Sequence, residues 1–138
     1  MTAEQLAAIQ EAASVVGLGH IYGDEPFPRE MVLERWRSAT DTIFSNGELG
    51  FAAIDPPWLS GLYVRPEAWG TGVAARLHDR AVDALRAAGV ERARLWVLEG
   101  NARARRFYER RGWRLDGETR VVPFPPHPID VGYSLVLG

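Results

Sequence analysis

In Val64-Arg65-Pro66-Glu67-Ala68-Trp69-Gly70-Thr71-Gly72-Val73-Ala74, a strand-like run breaks into a glycine-bearing turn that opens an Ala-rich helix. Such a turn aims backbone amides at a phosphate. Gly70 and Gly72 let the main chain approach a ligand without Cβ interference, and the free N–H groups of the first helical turn point along the helix dipole. The implied ligand is anionic and phosphorylated. Two familiar phosphate loops do not fit. A Walker loop ends in Gly-Lys-Ser/Thr and a dinucleotide fingerprint reads G-x-G-x-x-G, whereas here Val73, Ala74 and Ala75 follow the glycines. Nor does a second strand end in an acidic residue roughly twenty positions on, where a ribose would be read.

A second block, Leu95-Trp96-Val97-Leu98-Glu99-Gly100-Asn101-Ala102-Arg103-Ala104-Arg105-Arg106-Phe107-Tyr108-Glu109-Arg110-Arg111-Gly112-Trp113, reads as a strand, an Asn-capped helix and a glycine stop. Ala104, Phe107, Tyr108 and Arg111 share one face of that helix. Tyr108 therefore points inward with a hydroxyl that needs a partner. Taken alone, these residues fit a packed tyrosine and a simple cap as well as they fit a site.

Together the two blocks resemble the GNAT superfamily of N-acetyltransferases, whose acyl-CoA pyrophosphate loop reads Gln/Arg-x-x-Gly-x-Gly/Ala. In such a loop backbone amides supply most of the grip, and Trp69, directly before the first glycine, would stack or pack. The resemblance is specific over about Leu59 to Trp113. It implies an α/β (α+β) fold, with a mixed, mostly antiparallel central sheet flanked by helices, in a single domain over residues 1–138. Acetyl-CoA is the implied acetyl donor, without a metal. Its pantetheine arm would pair with Leu62, Tyr63 and Val64, and its pyrophosphate would rest on Trp69, Gly70, Thr71, Gly72, Val73, Ala74 and Ala75. Asn101, Arg103, Ala104 and Phe107 would complete the cofactor cleft, and Tyr108 would protonate the departing thiolate.

Two departures from the family stand out. Its members usually begin with a strand, whereas this chain opens on a helix at residue 2, leaving a sheet edge near Thr42 to Phe44 that a second subunit would cover in a homodimer. Many relatives also carry Glu or Asp in the strand before the glycine loop, where this chain has Ser60-Gly61. A carboxylate that takes the ammonium proton would then be Glu99, Glu25 or Glu30. The acceptor would be a small-molecule amine or a peptide amine, with His20, Tyr22, Phe27, Trp36, Trp58, Phe124 and His127 as candidates for its pocket. The contrasting reading is a degenerate acyl-CoA-binding module, and a third is an unrelated nucleotide-binding role.

Composition excludes several other classes. The chain of 138 residues is 46% hydrophobic and 25% charged, which suits one domain with a sizeable core. It has no cysteine, so disulfides, thiolate nucleophiles and cysteine-ligated zinc are excluded, and a reducing, cytoplasmic location is expected. His20, His78 and His127 have no metal-site spacing. No apolar run approaches the roughly 20 residues that cross a bilayer. A net charge of −2 argues against general nucleic-acid binding. The arginines Arg103, Arg105, Arg106, Arg110, Arg111 and Arg114 read as a solvated basic face, and Arg65 or Arg76 is a further candidate for CoA phosphates.

Elsewhere, Thr2-Ala3-Glu4-Gln5 is a capping box, followed by an apolar stripe of Leu6, Ile9, Ala13 and Val16. A second helix is expected over about Arg29 to Ala39, with Val32 and Trp36 one turn apart. Thr42 to Phe44, Asn46-Gly47 and Leu49 to Ile54 read as a hairpin, Leu59 to Val64 as a strand, and Gly72 to Ala88 as a helix buried through Leu77, Ala81, Ala84, Leu85 and Ala88. A strand is expected over Arg94 to Leu98. The proline-rich stretch Val121 to Pro128 reads as a loop closing over the acceptor site before a strand over Gly132 to Leu137.

Overall fold

The computed structural model describes residues 1–138. Helices α1 (Ala3–Gly17), α2 (Gly19–Tyr22) and α3 (Arg29–Arg37) precede strands β1 (Thr42–Ser45), β2 (Gly50–Asp55) and β3 (Trp58–Val64). A 3-10 turn (Pro66–Ala68) leads into α4 (Val73–Ala87), β4 (Arg92–Leu98), α5 (Ala102–Arg110), β5 (Arg114–Val121) and β6 (Ile129–Val136). The six strands form one sheet in the order β1-β2-β3-β4-β6-β5. Every neighbouring pair is antiparallel except β3 and β4. This is the expected mostly antiparallel sheet between helices.

Strand β2 explains why there are two layers of helix. Its residues alternate between faces. Ala52 and Ile54 join a core with Leu77, Ala81 and Leu85 of α4 and with Tyr108 of α5. Phe51 and Ala53 join a smaller core with Leu6 and Ile9 of α1 and Val32 and Trp36 of α3. Covered on both faces, β2 reads as a continuous apolar run.

Local chemistry sets the ends of the elements. The Thr2 hydroxyl accepts from the Gln5 backbone while the Gln5 side chain accepts from the Thr2 backbone, closing the capping box. Asn101 accepts from the Ala104 N–H at 3.2 Å, and Gly112, at φ +94°, ends α5 in the left-handed region.

Some expected burial does not occur. Val16 is 60% exposed, because the contacts of α1 with the core lie nearer its start, at Leu6 and Ile9. Ala88 is also exposed, since α4 ends one residue earlier. Strand β5 had no signal in the sequence: as an edge strand it is almost entirely exposed and interrupted at Gly117, so no alternation marks it.

His78 is buried in α4, with its imidazole between two partners. The Trp113 indole N–H, a donor only, reaches Nε2 at 3.0 Å, so the ring's proton sits on Nδ1, which donates to Asp79 at 2.9 Å. Burial holds its pKa below the usual value, against the pull of Asp79. The neutral ring is thus favoured on folding, and its contribution to stability is complete above the unfolded pKa of about 6.5 and is lost as pH falls below it. The melting temperature should drop by a few °C between pH 7 and pH 5, and His78→Gln should flatten that slope; an unchanged slope in circular-dichroism melts would remove His78 as its source.

Candidate functional site

Parallel strands β3 and β4 are paired only where Trp58 meets Arg94, with the Arg94 N–H donating to the Pro57 carbonyl at 3.0 Å. Beyond that point they diverge. The sheet opens into a wedge, and the side of β3 that faces β4 is left without ladder partners. In an otherwise paired sheet, such unpaired backbone is a place for a ligand with its own amides.

The turn after β3 is a second cradle. Gly70 and Gly72 adopt φ +78° and +87°, conformations that side chains rarely tolerate. None of the backbone N–H groups of Gly70, Gly72, Val73, Ala74 or Ala75 has an acceptor within the protein. Consecutive free amides at the start of a helix of fifteen residues form an anion site. Arg76 folds back over Gly72, its guanidinium only 3.0 Å from where a Cβ would stand.

Trp69, directly before the first glycine of the turn, works as a wall. Its indole N–H donates to the Val64 carbonyl at 2.8 Å, and the Arg103 guanidinium covers its ring at 3.6 Å from the centroid. Trp69, Ala74, Arg103 and Phe107 line a cavity of about 180 Å³ together with Ala13 and Ser14 of α1. The expected cofactor residues Leu62, Tyr63, Val64, Asn101 and Ala104 line it as well.

A larger cavity, of about 460 Å³, lies beside it. Leu18, Leu62, Tyr63, Asn101, Ala104 and Tyr108 line both, so the two spaces meet along one wall. Tyr108 is buried, its hydroxyl makes no hydrogen bond within the protein, and burial pushes its pKa up. The phenol is thus protonated at neutral pH and free to donate.

The larger cavity brings Arg35, Trp58, Ser60, Trp96, Arg120 and Asp130 together. Of the aromatic and histidine candidates for an acceptor pocket, only Trp58 lines it. Trp36 and Phe27 belong to the smaller core, and the His20 Nε2 donates to the Gly100 carbonyl at 2.9 Å. Phe124 stacks on Tyr22 at 6.0 Å, fastening the proline-rich loop to α2, and the His127 Nδ1 donates to the Val122 carbonyl.

Glu99 is exposed at the end of β4, outside both cavities, as are Glu25 and Glu30. The carboxylate that does line the larger cavity is Asp130, which had no sequence signal because it enters the site from β6, far along the chain. Its Oδ2 accepts from the Arg120 Nε at 2.9 Å. Tyr22 has its pKa pushed up to about 12, first by burial and then by the charge of Asp130. Ser60 donates to Asp41, which also takes both terminal nitrogens of Arg35. Although burial opposes it, these bonds hold the Asp41 carboxyl below the usual range. No group of His, Asp and Glu side chains is arranged to hold a metal, and no helix is long and apolar enough to cross a membrane.

A model of the acetyltransferase (GNAT) family matches residues 14–113. A curated mycothiol acetyltransferase of Beutenbergia cavernae is 52% identical over 52 residues, a match that covers 38% of this chain and 18% of the relative. A GCN5-related N-acetyltransferase from Rhodopseudomonas palustris superposes with a TM-score of 0.78 at 20% identity, covering 98% of this chain and 89% of that one. The structure of yncA from Salmonella typhimurium, which contains its cofactor acetyl-CoA, superposes with a TM-score of 0.66 at 19% identity, covering 100% and 91%. At these identities the superpositions establish the fold.

The cradle's geometry has a direct test. A Cβ at position 72 meets both the left-handed backbone and the Arg76 guanidinium, so Gly72→Ala should lower stability by about 1–2 kcal/mol. It should also weaken acetyl-CoA binding at least about tenfold as the free amides are displaced, about 1.4 kcal/mol. Isothermal titration calorimetry on folded protein checks this, and unchanged affinity would place the pyrophosphate elsewhere.

Proposed function

The chain belongs to the GNAT acetyltransferase family, and we propose that it moves an acetyl group from acetyl-CoA to a primary amine by direct attack. One observation carries this reading: the unpartnered Tyr108 hydroxyl belongs to the wall shared by an apolar cleft and a charged cavity. The cleft suits a donor's thioester arm, and the cavity suits an amine.

When bound, acetyl-CoA supplies an acetyl group already activated as a thioester. The chain's residues hold it, orient it and move protons. The free amides from Gly70 to Ala75 take the pyrophosphate, with Arg76 alongside. The unpaired side of β3 takes the pantetheine amides, between Trp69, Phe107 and Asn101. A main-chain N–H near Val64 polarises the thioester carbonyl.

The ammonium gives up a proton to Asp130, directly or through water, because only the neutral amine is nucleophilic. Nitrogen then bonds to the carbonyl carbon, the carbon–sulfur bond breaks, Tyr108 protonates the departing sulfur, and the second proton shed by the new amide nitrogen restores the Tyr108 phenol through solvent. The products are the acetylated amine, CoA thiol and one proton. No covalent enzyme intermediate is needed, and the chain offers no thiol for one.

Tyr108→Phe removes the proton donor while preserving the ring. We expect turnover, followed by thiol release, to fall about 100-fold or more, with acetyl-CoA affinity changed less than about threefold. Unchanged turnover would take Tyr108 out of the mechanism, and loss of acetyl-CoA binding would make it a packing residue.

A further inference from the structure

The larger cavity contains one carboxylate oxygen that is conspicuously short of a donor. Asp130 is buried, with its side chain 10% exposed, and Arg120 occupies only Oδ2. Its Oδ1 makes no hydrogen bond within the protein. It is not sealed off either, since the one unpartnered side-chain polar atom shut away from solvent is the Arg94 Nε. Asp130 Oδ1 therefore opens onto the cavity it lines, and a buried carboxylate oxygen without a donor is costly until a ligand supplies one.

The cation best suited to this oxygen is a small ammonium. A quaternary ammonium would need the open face of an aromatic ring. Tyr63 packs against Phe51, and Tyr108 against Phe107 and Trp113, and neither cavity tryptophan offers an open face. Trp58 and Trp96 stack on each other at 5.9 Å, Arg94 covers Trp58 at 4.8 Å and Arg120 covers Trp96 at 4.7 Å. Recognition of the positive charge thus falls to hydrogen bonds on Asp130.

The same ladder fixes an anion site next to it. Arg120 is held by the Trp96 face and by Asp130, yet only its Nε is engaged; its terminal nitrogens have no partner within the protein. Arg35, the other arginine of the cavity, has both terminal nitrogens on Asp41. A pre-set guanidinium with free terminal N–H groups matches a carboxylate in the bidentate manner. Asp130 and Arg120, bonded to each other, thus present an empty acceptor beside empty donors.

We infer that the acceptor is a small primary amine that carries its own carboxylate, an amino acid or close analogue, with its ammonium on Asp130 Oδ1 and its carboxylate on the terminal nitrogens of Arg120. This rests on the acetyltransferase reading above and names its substrate class. The cavity of about 460 Å³ is of small-molecule size. In a peptide, the α-carboxylate next to the reacting amine is consumed in the chain, so a peptide N-terminus would leave Arg120 empty.

The test compares each standard amino acid with its α-amide and with the amine lacking the carboxylate, and adds short peptides with a free N-terminus. Thiol release gives kcat/KM, and calorimetric binding of the same compounds to the CoA-loaded protein gives a readout independent of turnover. The best amino acid should exceed its amide and its decarboxylated counterpart at least tenfold in both. Arg120→Gln should reduce that ratio toward one, and Asp130→Asn should raise KM for the amino acid. Equal or better activity with the amide, the plain amine or the peptide would overturn the inference, and needs no variant to fold. Preferential binding of amino acids without any turnover would sustain the inference about the cavity and sink the transferase reading; no binding of any amino acid would overturn the inference itself.

Discussion

The rest of the site depends on one failure of pairing. Strands β3 and β4 run parallel, touch at Trp58 and Arg94, and then separate. A parallel pair needs a crossover, here α4, and that helix fills the space behind β3 with Leu77, Ala81 and Leu85. The helix that makes the parallel pair necessary also begins at the free amides after Gly72. The wedge and the anion cradle are thus two ends of one connection, and α5 closes the wedge with Tyr108 pointing inward.

Each cavity takes its character from the layer around it. The smaller is walled by Trp69 and Phe107 from segments flanking the wedge and by Ala13 and Ser14 of α1. The larger takes charged residues from α3, β5 and β6, namely Arg35, Arg120 and Asp130. Burial of Asp130 is tolerated because Arg120 accompanies it, and Arg120 stays in place because it lies on Trp96. A paired but incompletely satisfied buried charge is poor for stability and useful for recognition.

Much of this was legible in the sequence wherever one local segment carries the information. The glycines of the turn, the Asn101 cap, the Thr2 capping box and the inward face of Tyr108 all follow from spacing and backbone chemistry. What was not legible depends on residues brought together from afar. Asp130 and Arg120 sit ten positions apart on two strands of a hairpin, and nothing nearby distinguishes either from an ordinary surface charge. The aromatic candidates failed for the complementary reason: Trp36 and Phe27 are large and apolar, and the smaller core claimed them. Glu99 looked well placed just past the end of a strand, but it turns out of both cavities into solvent.

The bond between the Trp113 indole and the His78 imidazole joins α4, the helix that opens on the free amides, to the segment that follows α5, the helix of Tyr108. A long ligand held at the start of one helix and beside the other would need a fixed distance between the two. Here the link between them is a neutral ring that accepts from Trp113 at Nε2 and carries its proton on Nδ1. The segments that carry the free amides and the tyrosine are thus tied to each other through the core, by two buried side chains, and not through the site they border.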